Sequence, residues 1–86
     1  MFEITLRIKT IDDVYYLTSV FRSMDCDMDI MTAHRKHVVD AKSVLGILSL
    51  DLSKPVILKA YTDDPELINS LKEALGKFGR NEEALR

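Results

Sequence analysis

The amino-acid sequence predicts an α+β fold, a two-layer open-faced sandwich in which three helices cover one face of a four-stranded, mostly antiparallel sheet. Apolar residues alternate in some stretches and recur at helical spacing in others, in the order β-α-β-β-α-β-α. The first strand is apolar on one side only, as in a sheet that packs one face and exposes the other to water. With 86 residues the chain has room for one domain, which we place at residues 1–79, followed by a polar tail over residues 80–86.

In the first half of the chain, alternation indicates the strands and capping side chains indicate the helix. The stretch from Thr10 to Asp13 offers capping oxygens to the helix that follows it. The turn His34-Arg35-Lys36-His37 lacks the Asn-Gly pair that favours a two-residue hairpin loop, so we expect a longer or irregular turn. The predicted elements are a strand over residues 2–9, a helix over residues 13–24, and strands over residues 28–33 and 38–39.

The second half of the chain contains two helices and one strand. Ser43 is a capping residue type at the start of a short helix that ends near Asp51, and Asp40 is a competing cap three residues earlier. A strand is predicted over residues 56–62. The last helix opens with Asp63-Asp64-Pro65-Glu66, a capping acid followed by proline in the first turn, and stops at Gly79. The predicted core consists of Phe2, Ile4, Leu6, Ile8, Leu17, Phe21, Ile30, Val39, Ile47, Leu50, Leu58, Leu71, Leu75 and Phe78.

Composition excludes several classes of function. The net charge of −2 offers no general attraction for nucleic acid or an anionic membrane surface. Cys26 is the single cysteine, so an internal disulfide is excluded, and its neighbours Asp25 and Asp27 do not favour a reactive thiolate. No apolar run approaches the roughly 18–20 residues of a membrane span, and the N-terminus lacks the pattern of a signal peptide. We therefore expect a cytoplasmic protein.

The short middle helix is apolar on two sides. At 100° per residue, Val44, Leu45 and Leu48 make one arc, whereas Ile47 and Leu50 lie opposite. A helix that packs on a sheet buries only one side against it. Either both sides are buried, or one of them is an apolar surface kept for a partner.

The segment Lys42-Ser43-Val44-Leu45-Gly46-Ile47-Leu48-Ser49-Leu50 resembles the Lys-Ser-x-x-Gly-x-x-Ser-Leu signature of HPr, the histidine-containing phosphocarrier of the bacterial sugar phosphotransferase system. The resemblance runs in element order through most of the chain, and it implies the same sandwich fold. It also implies that Ser43 is the serine modified by an ATP-dependent kinase in carbon catabolite regulation. Val44, Leu45 and Leu48 then correspond to the apolar docking surface of HPr, and Tyr15 lies in a region that faces partner proteins.

The second HPr signature, a Gly-x-His-Ala-Arg-Pro loop, is missing. An ungapped alignment from Ser43 places Asp12 at the histidine position, and residues 10–21 contain neither histidine nor arginine. Transfer through a phosphohistidine is therefore not expected. Asp12 is either a fixed negative charge that imitates the phosphorylated state or a helix cap, and the cap is the favoured interpretation.

Two functional hypotheses remain open. The first is a non-catalytic HPr-like regulator with protein partners of the phosphotransferase type; the second is a small-ligand-binding or self-associating module that keeps the fold only, with a ferredoxin-like fold as the structural rival. The sequence shows no catalytic constellation and suggests no cofactor. His34 and His37 lack the further ligands of a metal site and are interpreted as exposed turn residues. We expect a monomer or a weak homodimer.

Overall fold

A computed structural model describes residues 1–76 and Phe78 of the chain. The elements follow the predicted β-α-β-β-α-β-α order, whereas the predicted helix stop at Gly79 and the predicted tail over residues 80–86 lie outside the described residues. The elements are β1 (Phe2–Leu6), α1 (Ile11–Arg22), β2 (Met28–Thr32), β3 (Val38–Asp40), α2 (Val44–Leu48), β4 (Val56–Ala60) and α3 (Pro65–Ala74). None of these helices has the length and apolar character needed to cross a membrane.

The four strands form one sheet in the order β1-β4-β2-β3, and every neighbouring pair is antiparallel. The register places Ile4 beside Leu58 and Leu58 beside Ile30, and all three side chains are buried. This row lies on the face that the helices cover, so the predicted α+β sandwich is confirmed. The ferredoxin-like rival required a longer middle helix, and α2 has only five residues.

The core lies between the sheet and the helices. All of the predicted core residues are buried except Phe2 and Val39, which are only partly buried and pack against the core from outside. Both lie on edge strands, β1 and β3, which have a neighbour on one side only. Among the described residues, the core also includes Val14, Met28, Ala41, Val56 and Ala60.

The start of α1 differs from the prediction, because a different residue caps it. Thr10 is the N-cap: its Oγ1 accepts from the Asp13 N–H at 3.1 Å, and the Asp13 carboxylate accepts from the Thr10 N–H at 3.1 Å. This reciprocal capping box begins the helix at Ile11 rather than at residue 13. Asp12 lies exposed in the first turn, so its favoured interpretation as the cap is wrong.

The end of α3 also differs from the prediction. The helix ends at Ala74, so Leu75 and Phe78 contribute to the core from the turns that follow rather than from a continuous helical stripe. The Phe78 N–H donates to the Leu75 carbonyl at 2.9 Å, and the Phe78 carbonyl accepts from the Arg7 N–H at 2.9 Å. This contact with the chain beyond β1 holds Phe78 against the core without a helix.

The other boundaries shift by a few residues. β1 and β4 end earlier than predicted, at Leu6 and Ala60, although Ile8 remains buried. α2 ends at Leu48 instead of near Asp51. As expected, the β2–β3 turn is longer than a two-residue hairpin loop, and Arg35 adopts a φ of 60° within it.

Candidate functional site

The start of α2 is organised by Ser43. The Ser43 hydroxyl accepts from the Gly46 N–H at 3.0 Å, so Ser43 is the N-cap, as the sequence indicated. Asp40 does not cap this helix. Its carboxylate accepts from the Lys42 N–H at 2.9 Å and its carbonyl from the Ser43 N–H at 3.0 Å, which forms a turn just ahead of α2.

Gly46 allows α2 to lie close to its own cap and to β3. A Cβ at this position would lie 3.2 Å from the Ser43 Oγ and 3.2 Å from the Val39 Cβ. Both contacts are tighter than ordinary van der Waals packing. Gly46 of the nonapeptide therefore has a structural role: it allows the first turn of α2 to lie close to β3.

The two sides of α2 differ in burial. Ile47 and Leu50 are buried in the core, whereas Leu45 is 81% exposed and Leu48 is 39% exposed. Val44 is partly buried and packs against the core from the outside. We call Val44, Leu45 and Leu48 the α2 patch. Ile47, and Leu50 just beyond the end of α2, face inward, whereas Leu45 and Leu48 form the exposed part of the patch.

Two basic side chains connect α1 to the segment before Ser43. The Arg22 Nε donates to the Lys42 carbonyl at 2.9 Å, and the Lys42 Nζ donates to the Met24 carbonyl at 2.8 Å. Positive charge thus lies beside Ser43. The sequence does not indicate this pair, because Arg22 and Lys42 are 20 positions apart and only the packing of α1 beside α2 brings them together.

The exposed side of α1 presents aromatic rings but no histidine. Tyr15 is 53% exposed, and Tyr16 stacks on Phe78 with ring centroids 5.6 Å apart. Asp12 is exposed near the start of this helix, in the region where the HPr resemblance places the histidine. Because α1 contacts α2, Tyr15 and the α2 patch belong to adjacent helices.

The thiol of Cys26 is not activated for nucleophilic chemistry. Burial raises its pKa, and this effect outweighs the opposing influence of the Lys42 ammonium; Asp25 and Asp27 raise the pKa further. A nucleophilic cysteine needs the opposite shift, toward the thiolate. The environment of Cys26 therefore agrees with a structural thiol.

His34 and His37 are exposed in the β2–β3 turn, as predicted. Within residues 1–76 and Phe78, no group of three or more histidine, cysteine, aspartate or glutamate side chains could hold a metal ion. The outer face of the sheet next to this turn is charged. Arg35 donates to both carboxylate oxygens of Glu3, at 2.9 and 3.2 Å, and this hydrogen bonding holds the pKa of the Glu3 carboxyl below its usual range.

The chain is similar to known proteins at the level of the solved structures. No family model matches the chain, and no curated protein matches it. Among solved structures, it is similar to the crystal structure of HPr-C-His from Thermoanaerobacter tengcongensis, with 26% sequence identity and a TM-score of 0.69. The match covers 90% of this chain and 93% of the other, so the similarity extends over the whole sandwich and is not confined to the nonapeptide.

Proposed function

Because this chain has an HPr-like fold, we propose that it acts as a regulatory protein-binding module of the phosphotransferase type and does not carry a phosphoryl group on histidine. The observation that carries the proposal is the exposure of Leu45 and Leu48 on the short helix that Ser43 caps. Single apolar side chains on a surface need no explanation, whereas adjacent ones often mark an interaction site. The proposed role is cytoplasmic and requires no cofactor.

The proposed docking surface consists of the α2 patch and Tyr15. Leu45 and Leu48 would enter an apolar groove of the partner, while the partly buried Val44 packs against the core beside them. Tyr15 on the neighbouring helix would add a rigid ring with a polar end, a residue type enriched at protein interfaces. Lys42 and Arg22 would border this surface with positive charge.

Ser43 is the proposed switch of this surface. Phosphorylation adds roughly −1.5 to −2 charge and several acceptor oxygens. The Ser43 Oγ already accepts from the Gly46 N–H, so phosphoryl oxygens would have to replace that contact. The new charge would lie between the basic Lys42 and the apolar Leu45. It would therefore attract a partner that presents arginine and repel one that presents carboxylates.

The absence of phosphocarrier activity is proposed on chemical grounds. Transfer needs an imidazole that accepts a phosphoryl group near neutral pH, and donors that hold its oxygens. Residues 10–21 supply neither a histidine nor an arginine, and Asp12 is an exposed carboxylate. An aspartyl phosphate would lack a supporting metal site among the residues that the structure describes.

A kinase reaction tests the switch. The full chain is incubated with ATP and the serine kinase that modifies HPr, and its intact mass is measured. We expect one added phosphate on the wild-type chain and none on Ser43→Ala. If the wild-type mass does not change, or if the alanine variant is labelled equally, Ser43 is not the switch and a plain interaction module is the better account.

A second reaction tests the carrier function. Incubation with phosphoenolpyruvate and the first enzyme of the phosphotransferase system should leave the mass unchanged, whereas an authentic HPr in the same reaction gains a phosphate. An acid-labile phosphate on His34 or His37 would contradict the proposal. The two reactions are independent, since the first concerns Ser43 and the second the missing histidine.

Self-association is the alternative that the same surface supports. A second copy could cover the α2 patch, and sedimentation equilibrium of the wild-type chain and Leu45→Glu distinguishes the two hypotheses. We expect a monomer for both. A wild-type dimer that the glutamate variant abolishes would favour self-association over a heterologous partner.

A further inference from the structure

The structure contains a pocket apart from the α2 patch. This pocket, of about 250 Å³, opens between the β2–β3 turn and the segment that leads into β4. The turn contributes His34, Lys36 and His37, and the segment contributes Asp51, Lys54 and Pro55. It shares no residue with the α2 patch or with Ser43. We propose that this pocket binds a small organic phosphate, a compact molecule of a few carbons that bears one phosphate monoester.

The lining of the pocket carries more positive than negative charge. Lys36 and Lys54 come from different parts of the chain, and within residues 1–76 and Phe78 neither forms a hydrogen bond or an ion pair. The one carboxylate in the lining, that of Asp51, accepts hydrogen bonds from a residue two positions away. It accepts from the Ser53 N–H at 3.1 Å and from the Ser53 hydroxyl at 2.6 Å. The hydrogen bonds from Ser53 and, to a smaller extent, the Lys54 ammonium lower the pKa of the Asp51 carboxyl, so Asp51 offsets part of the positive charge. The two lysines still leave the lining with more positive than negative charge.

The β2–β3 turn places Arg35 at the outer face of the sheet and its two neighbours at the pocket. Arg35 adopts a φ of 60°, a conformation that non-glycine residues rarely take. Its guanidinium is held by both oxygens of Glu3 on the outer face of the sheet. The Arg35 side chain therefore pairs with Glu3 of β1, while its neighbours His34 and Lys36 line the pocket. Uncommon backbone conformations are often found at functional sites, and here the conformation divides the turn between two surfaces.

The chemistry of the lining fits a phosphate group. A phosphate monoester carries nearly two negative charges, which the two ammonium groups attract, and imidazole N–H groups supply further donors. Lysine is a common phosphate ligand and binds it as a point charge. Pro55 and the imidazole rings offer apolar walls to a carbon body. The volume is below the several hundred Å³ that larger ligands occupy, so the body must be short.

An NMR titration of the full chain tests this site. The ¹⁵N-labelled protein is titrated with sn-glycerol 3-phosphate, inorganic phosphate and glycerol. We expect saturable amide shifts in residues 33–37 and 51–54 with glycerol 3-phosphate, several-fold weaker binding of inorganic phosphate and none of glycerol. Equal affinity for the two phosphates would reduce the site to an adventitious anion site and overturn the proposal. Shifts centred elsewhere would overturn it as well.

Charge-matched variants locate the binding. Lys36→Gln combined with Lys54→Gln should weaken glycerol 3-phosphate binding by about tenfold or more, because two charge-assisted contacts are lost. Lys9→Gln combined with Lys72→Gln removes the same charge outside the pocket and should leave the affinity within about twofold. If both pairs weaken binding equally, the effect is one of net charge and the pocket is not the site. Neither result bears on Ser43, so this proposal can fail while the proposed function stands.

Discussion

The two sides of α2 are built from the same kinds of side chain and have opposite surroundings. Ile47 and Leu50 are buried between the helices and the sheet, whereas Leu45 is the most exposed large apolar side chain among the described residues. Hydropathy does not distinguish the inward residues Ile47 and Leu50 from the outward residues Leu45 and Leu48. Burial on this helix is therefore decided by where the sheet lies, and the side chain of Leu45 contributes little to the packing of the described residues.

Replacement of the inward side should have the largest effect. Ile47→Ala removes a fully buried side chain and leaves a cavity, so we expect a loss of about 2–5 kcal/mol in the free energy of unfolding. Urea denaturation followed by circular dichroism measures it. Ile47→Val, a smaller deletion at the same position, should cost about 0.5–1.5 kcal/mol. A loss for Ile47→Ala below 1 kcal/mol would show that the inward side is not packed as described.

Substitution of Gly46 should have an intermediate effect on the free energy of unfolding. In Gly46→Ala the added methyl group meets Ser43 and Val39 at about 3.2 Å. Overpacking of this kind costs about 1–3 kcal/mol, and the better helix propensity of alanine returns about 1 kcal/mol, so we expect a net loss of about 1 kcal/mol. The matched control is Gly76→Ala, whose nearest atoms lie at 3.6 Å in ordinary contact and which should change stability little. A stabilised Gly46→Ala would mean that α2 moves away from β3 freely.

Removal of the cap should have a similar or smaller effect. Ser43→Ala leaves the Gly46 N–H without its acceptor, and we expect a loss of about 0.5–2 kcal/mol. Thermal unfolding measures it and also shows whether the control of the kinase experiment remains folded. Ser49→Ala at the other end of α2 removes only an exposed hydroxyl contact to the Gly46 carbonyl and should cost less. Equal losses would show that the cap contributes no more than any surface hydroxyl.

Replacement of the outward side should have the smallest effect on stability. Leu45→Ser changes a side chain that is 81% exposed, and we expect a stability within about 0.5 kcal/mol of the wild type. Leu48→Ser should cost slightly more, because Leu48 is only 39% exposed. The same urea titration serves as the measurement. A loss above 1 kcal/mol for Leu45→Ser would mean that this leucine stabilises the fold, and it would weaken the argument that it serves a partner.

The candidate site shows how unevenly its parts could be predicted. Ser43 as a cap, the exposure of His34 and His37 and the two-sided pattern of α2 were all correct from sequence. Asp12 as a helix cap was not, because the reciprocal contacts of Thr10 and Asp13 start α1 earlier. The signal was present, since a threonine followed three residues later by an acid is a capping-box pattern.

The sequence by itself determined the order of elements, the class of the fold and most of the core. These depend on periodicity and on caps, which involve residues only a few positions apart. The cap at Asp64 with Pro65 in the first turn is an example, and the structure has α3 begin there.

Only the tertiary structure decided which side of α2 is exposed, why Gly46 needs to be small, and how Phe78 reaches the core beyond the end of α3. It also brought Arg22 to Lys42, and Lys36 to Lys54 around one pocket. Each of these depends on contacts between residues far apart in the chain. Such contacts follow from the way the sheet and helices pack, and no local pattern of side chains specifies them.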